Sequence, residues 1–176
     1  MVHCAASGAP EIEGDGHSPG ELALENARRK AVAIAPMFPE EFVLAADTVV
    51  VREGRFYGKP TDMRDAFRML KELSGRRHEV VTGVVVQPPG ERAISFSETS
   101  SVRMRPLNDA DILRYLEAIN PLDKAGSYAA QDDEGFLIEA IEGSFTNVVG
   151  LPMETLADIL ARAGFPAPRL PQKEGK

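Results

Sequence analysis

Cys4 is the only cysteine of the chain, which excludes an internal disulfide and any zinc site built from several thiolates. We read it as a small buried thiol without a role, in keeping with the burial habits of free cysteine. Long apolar runs are missing too: the best stretch, residues 43–51, contains Asp47 and Thr48 and falls far short of the roughly 20 residues a membrane-spanning helix needs. The opening Met1-Val2-His3-Cys4-Ala5-Ala6-Ser7 lacks the basic start and apolar core of a secretory signal, so the expected location is the cytoplasm. Positive charge is scarce. With 20 Lys and Arg against 27 Asp and Glu, the net charge of −7 argues against broad binding to nucleic acid. It does not exclude a small anionic ligand, which needs only a few placed cations in a cleft, often with a divalent metal. His3, His17 and His78 lack the spacing of a zinc site, and no Gly-x-Ser-x-Gly elbow, Walker-type phosphate loop or Gly-x-Gly-x-x-Gly fingerprint occurs.

What is present fits one globular domain: 176 residues, 43% hydrophobic and 27% charged. Residues 1–17, rich in Gly, Pro and Ala, read as a short strand or irregular lead-in. Ser18-Pro19-Gly20-Glu21 then combines an N-cap, a first-turn proline and a reciprocal glutamate, and predicts a helix ending before Pro36. Residues 42–51 are β-branched and apolar, the composition of a buried strand, and Glu53-Gly54 turns the chain into Arg55-Phe56-Tyr57. Thr61 is expected to cap a second helix carrying Ala66, Met69, Leu70 and Leu73, stopped by Gly75. Residues 78–87 and 93–105 form a predicted hairpin around Pro88-Pro89-Gly90. Asn108 caps a third helix with Asp109 and Asp111 at its positive end. A strand over 136–141 and a helix over 153–163 complete the core, giving a domain over 18–164 and a flexible tail over 165–176. Helices interleaved among strands, with one evident hairpin, predict an α/β fold with a mixed twisted sheet flanked by helices.

Three places could carry chemistry. Asp47 is a carboxylate inside an apolar strand, where it needs a partner. It could hold a metal or take a proton from water, or it could simply accept backbone N–H groups at a strand end. Lys59, between Gly58 and Pro60, is suited to aim an ammonium at a phosphate, although a solvated turn lysine is the commoner case. Asp123-Lys124-Ala125-Gly126-Ser127-Tyr128 with Gln131 gathers an acid, a cation, a permissive glycine and an amide in one loop, and Gln131 could read a base through its donor and acceptor.

Taken in order, Ala46-Asp47-Thr48-Val49-Val50, Gly58-Lys59-Pro60, Leu73-Ser74-Gly75-Arg76-Arg77-His78-Glu79-Val80, Asp123-Lys124-Ala125-Gly126 and Asn147-Val148-Val149-Gly150-Leu151-Pro152 closely resemble the Maf family, over residues 18–163. The resemblance implies a Maf or inosine-triphosphatase-like fold and an enzyme that cleaves a nucleoside triphosphate between its α and β phosphates with Mg²⁺ or Mn²⁺. It makes Asp47 the proton acceptor, Lys59 and Lys124 the phosphate-facing lysines, and Thr48 and Gln131 positions tied to substrate choice, in the manner of the dTTP/UTP branch. Asn147 to Pro152 reads as a packing and turn element. Family habit also makes a homodimer plausible.

Before Ser18 the chain departs from the family's opening pattern and better matches the strand and acidic linker that normally follow its first helix. The family's usual opening strand, Ser-x-Ser-Pro-Arg-Arg segment and helix have no counterpart: Ala6-Ser7-Gly8-Ala9-Pro10 imitates the loop, but Glu11-Ile12 stands where arginines belong. The expectation is a chain without its first strand and helix, through a misassigned start or truncation, and with little turnover of its own. A rival reading is a nucleotide-binding regulator without catalysis, in line with the family's link to septum formation. A purely structural or interaction domain would require Asp47, Lys59 and Lys124 to coincide by chance.

Overall fold

The computed structural model describes residues 3–14, 16–133 and 135–165. After an irregular lead-in comes helix α1 (Pro19–Ile34). Its start is the expected capping box, with Ser18 Oγ accepting from the Glu21 N–H and Glu21 Oε2 accepting from the Ser18 N–H at 2.9 Å. Strand β1 (Val43–Arg52) follows and turns at Glu53 and Gly54 into the short β2 (Arg55–Tyr57). Helix α2 (Met63–Leu73) is capped by Asp62 rather than the expected Thr61. The Asp62 carboxylate reaches the Asp65 N–H at 2.8 Å, whereas Thr61 donates its own N–H to Asp65 Oδ2 at 3.1 Å.

Strands β3 (Arg77–Gln87) and β4 (Ile94–Met104) form the expected hairpin. Asn108 caps α3 (Asp109–Ala118) with a second capping box. Strand β5 (Ile138–Glu142) starts two residues later than expected, because Phe136 stacks on Tyr115 instead. Short α4 (Phe145–Val149) and then α5 (Met153–Arg162) end the described chain. Most of the tail expected over 165–176 lies outside the described residues. Phe165, assigned to that tail, packs edge-on against Phe42 with ring centroids 5.1 Å apart. Cys4 is exposed rather than buried, because the lead-in carries it clear of the core.

The sheet order is β2-β1-β3-β4-β5. The α/β class and the flanking helices are as expected, but every pairing among the described strands is antiparallel, where a mixed sheet was expected. The reason lies in α2, which returns the chain to the end of β1, so that Glu79 pairs with Val51 and β3 runs back along its neighbour.

Alternation along β1 splits its residues between two faces. On one face Ala45, with Val85 of β3, packs against Ala27 and Ala31 of α1. Ala23, Ala27 and Ala31 are buried and small, so the helix axis comes close to the sheet. At Gly83 there is no room for a side chain, since an added Cβ would lie 2.4 Å from the Ala23 carbonyl carbon. The opposite face carries Val50 and Val80 into the main core with α2, α3 and Val148 of α4, and Val84 and Val86 into a second cluster with Leu156 and Leu160 of α5.

One feature of the sheet positions the site. Strand β2 pairs only with Val50, Val51 and Arg52, so residues 43–49 of β1 have no strand on that side among the described residues. A cleft passes around this open edge and touches both faces.

Candidate active site

Asp47 points to the α1 face, where it is 8% exposed. Its partners are supplied by one side of the helix: Asn26 and Lys30, four residues apart, stack on the same stripe as Leu22. Lys30 Nζ donates to Asp47 Oδ1 at 2.5 Å, and Asn26 Nδ2 donates to Oδ2 at 3.2 Å. The same ammonium meets Glu11 Oε1 of the lead-in at 2.8 Å. Asn26 also ties that lead-in down, accepting from the Ile12 N–H at 2.9 Å and donating to the Ile12 carbonyl at 3.3 Å. Burial alone would pull the Lys30 ammonium down, but its hydrogen bonds to Asp47 and Glu11 outweigh that and hold it above the usual lysine range. The Lys30 hydrogen bond, opposed by partial burial and aided by the charges of Lys30 and Lys59, holds Glu11 below the usual glutamate range.

Thr48, the next residue, points to the other face. Its hydroxyl lies 2.9 Å from that of Thr82, its direct neighbour across the β1–β3 pairing. Thr82 Oγ1 in turn donates to the Asn147 carbonyl at 3.1 Å. Asn147 is fully buried, and its amide donates to the Val80 carbonyl at 3.1 Å and to Ser100 Oγ at 2.9 Å. It fastens α4 to the sheet, consistent with the packing role expected for its segment.

The two loops that bear the expected lysines are joined by a backbone bond from the Gly126 N–H to the Gly58 carbonyl at 3.1 Å. Gly126 has φ 70° and Ser127 has φ 66°, so this turn is held in the left-handed region by its packing. A Cβ on Gly126 would press on Val50 at 3.3 Å. Lys124 Nζ meets Asp123 Oδ1 at 3.1 Å, while Lys59 is exposed. Tyr128 is buried against His78, with the phenol oxygen 2.7 Å from Nε2. Burial, with help from the Arg52 charge, pushes His78 down to about 4, and burial pushes the Tyr128 hydroxyl well above the tyrosine range.

All five residues singled out in the sequence, Asp47, Thr48, Lys59, Lys124 and Gln131, line one cleft of about 1070 Å³. Asp47 is grouped there with Glu11, Asn26 and Lys30. Thr48 and Gln131 line the same cleft, together with Tyr128, Ala129, Ala130, Val148 and Val149, which make much of its wall apolar. Glu11, Asn26, Lys30 and Tyr128 were missed as site residues. The four-residue spacing of Asn26 and Lys30 on an otherwise apolar stripe was the available signal, and Glu11 had none. Among the described residues no group of three or more His, Cys, Asp or Glu side chains gathers where it could hold a metal ion by itself.

Lysines from α1, from the loop after β2 and from the loop before Gly126 line a single cleft that also has apolar walls, a combination suited to holding a phosphorylated small molecule. The chain belongs to the Maf family: the family model described as Maf-like protein matches residues 2–163. Among similar proteins, the dTTP/UTP pyrophosphatase of Carboxydothermus hydrogenoformans is 43% identical over 159 residues, covering 89% of this chain and 86% of that protein. The dTTP/UTP pyrophosphatase of Anaeromyxobacter dehalogenans is 46% identical over 159 residues, covering 87% and 78%. That of Geobacter sulfurreducens is 41% identical over 160 residues, covering 90% and 84%.

Proposed function

We propose that this chain hydrolyses dTTP and UTP between the α and β phosphates, releasing the nucleoside monophosphate and pyrophosphate. The observation that carries the reading is the Asp47–Lys30–Glu11 cluster in a cleft that Thr48, Lys59, Lys124 and Gln131 also line. The names of the similar proteins support the choice of pyrimidine triphosphates.

In the cleft as it stands, one ammonium neutralises two carboxylates. A triphosphate entering beside Lys59 and Lys124 competes for Lys30, and drawing that ammonium toward phosphate oxygens uncovers Asp47 Oδ1. Asp47 then accepts the proton of the attacking water, while Asn26 keeps the carboxylate oriented through Oδ2. The lysines stabilise the charge that builds on the phosphate oxygens and on the departing pyrophosphate.

Glu11 is the carboxylate of this cluster left to meet a hard divalent cation, Mg²⁺ or Mn²⁺, because such ions are commonly held by one or two carboxylates together with substrate phosphates. Bound there, the ion would supply further neutralisation of the triphosphate. Among the described residues no helix is long and apolar enough to cross a membrane. The exposed sheet edges at β2 and β5 support a homodimer.

The test is pyrophosphate release by the purified chain from dTTP, UTP, CTP and GTP with Mg²⁺ and Mn²⁺. Pyrophosphate and monophosphate in equal amounts from UTP or dTTP support the proposal, and the rate measures the low turnover expected from the sequence. Tight nucleotide binding with no release favours the regulator reading instead.

A further inference from the structure

We propose, resting on the nucleotide reading above, that Thr82 is a positioning residue that fixes the hydrogen-bonding polarity of Thr48 and thereby selects bases carrying a ring N–H. Thr82 is fully buried and does not line the cleft. Its hydroxyl has one proton, and the Asn147 carbonyl 3.1 Å away can only accept, so that proton is committed. The 2.9 Å contact between Thr48 and Thr82 therefore has Thr48 as donor. Thr48 has then spent its own single proton inside the sheet and turns only lone pairs toward the cleft.

The relay is anchored at its far end. The Asn147 side chain is tied to Val80 and Ser100, and the Asn147 carbonyl also accepts from the Gly150 N–H at 2.9 Å, so the acceptor cannot turn away. Gly150 has φ 117°, and a Cβ there would sit 3.4 Å from Thr48 Oγ1. Its bare Cα leaves the hydroxyl uncovered.

An acceptor-only Thr48 discriminates by chemistry rather than by size. Uracil and thymine carry an N–H between two carbonyls, which satisfies a lone pair. Cytosine carries a bare nitrogen at that ring position, and two lone pairs facing each other leave both unsatisfied in an apolar pocket. Rejection by an unpaired buried polar group is stronger than rejection by shape. Gln131, able both to donate and to accept, serves either base and cannot make this choice alone.

The experiment compares kcat/KM for UTP and CTP in the unaltered protein, in Thr82→Val and in Thr82→Ser. Removing the Thr82 hydroxyl frees Thr48 to donate into the cleft, so the UTP preference should fall about tenfold in Thr82→Val, chiefly through a gain with CTP. Thr82→Ser should restore it. A fall of both substrates by the same factor, or an unchanged ratio, overturns the proposal and leaves Thr82 a structural residue. If Thr82→Val does not fold, the unaltered protein decides: N3-methyl-UTP should show a KM at least about tenfold above that of UTP, and equal values overturn the proposal. Should no triphosphate be turned over at all, the proposed function fails separately, and the same ratios are then read as dissociation constants by calorimetry.

Discussion

Gly83 leaves no room for a side chain between β3 and α1, and replacing it with Ala tests how the cluster around Asp47 is assembled. The added methyl would sit 2.4 Å from both the Ala23 carbonyl carbon and the Leu24 nitrogen. These are backbone atoms of a helix and cannot swing aside. Overpacking of this kind costs typically about 1–3 kcal/mol, and a clash with backbone belongs at the upper end. Against it stands a gain of about 0.4–1 kcal/mol from a stiffer unfolded chain. The net loss of about 2 kcal/mol corresponds to a fall in Tm of about 4–8 °C for a chain of this size. Because the shift tilts the helix that bears Asn26 and Lys30, kcat should fall more than the stability loss alone explains. The assay is calorimetric Tm alongside pyrophosphate release, with Gly58→Ala as the control for Tm alone, since nothing lies within 4 Å of a Cβ there. An unchanged or raised Tm in Gly83→Ala would refute the account of helix placement.

Asp47→Asn should lower pyrophosphate release at least about 100-fold while nucleotide affinity, measured by calorimetry, stays within about threefold. Lys30→Met should destabilise the protein by about 1.5–3 kcal/mol in urea titrations, because Asp47 loses a charged hydrogen bond, and it should abolish turnover. His78 adds a pH dependence. Its ordinary value of 6.5 falls to about 4 on folding, so the unfolded chain binds the proton first, and the neutral ring's stabilisation is complete above 6.5 and lost as pH falls toward 4. The loss is roughly 3 kcal/mol across that window, and His78→Gln, able to keep the Tyr128 contact, should flatten it in denaturant melts between pH 4 and 7.

Much of the fold was legible because its signals are local. The capping boxes at Ser18 and Asn108 each lie within four residues, and both helices begin where those residues dictate. The acid in the apolar strand was legible for a similar reason: Asp47 conflicts with its immediate neighbours, and the conflict marks the site. Its solution was not legible, because the partners Asn26 and Lys30 reach it only through a helix crossing set by Gly83 and an alanine stripe in another part of the chain. Helix α4, at five residues, is too short for any hydrophobic period to reveal. Thr61 and Asp62 are both good caps, and only the geometry of the turn decides between them. The antiparallel run of β3 depends on where α2 delivers the chain, which no window of sequence records.

The brevity of β2 has a consequence for how such a site can change over generations. With the edge of β1 open, two adjacent residues of one strand reach a single cleft from opposite faces of the sheet, the acid on one face and the hydroxyl on the other. Inserting one residue upstream in β1 would bring the acid to the place of Thr48 and an alanine to the place of Asp47, whereas deleting one would bring the hydroxyl to the place of Asp47, so either change dismantles the arrangement in a single step. Point substitutions can tune this protein, but length changes in β1 are closed to it.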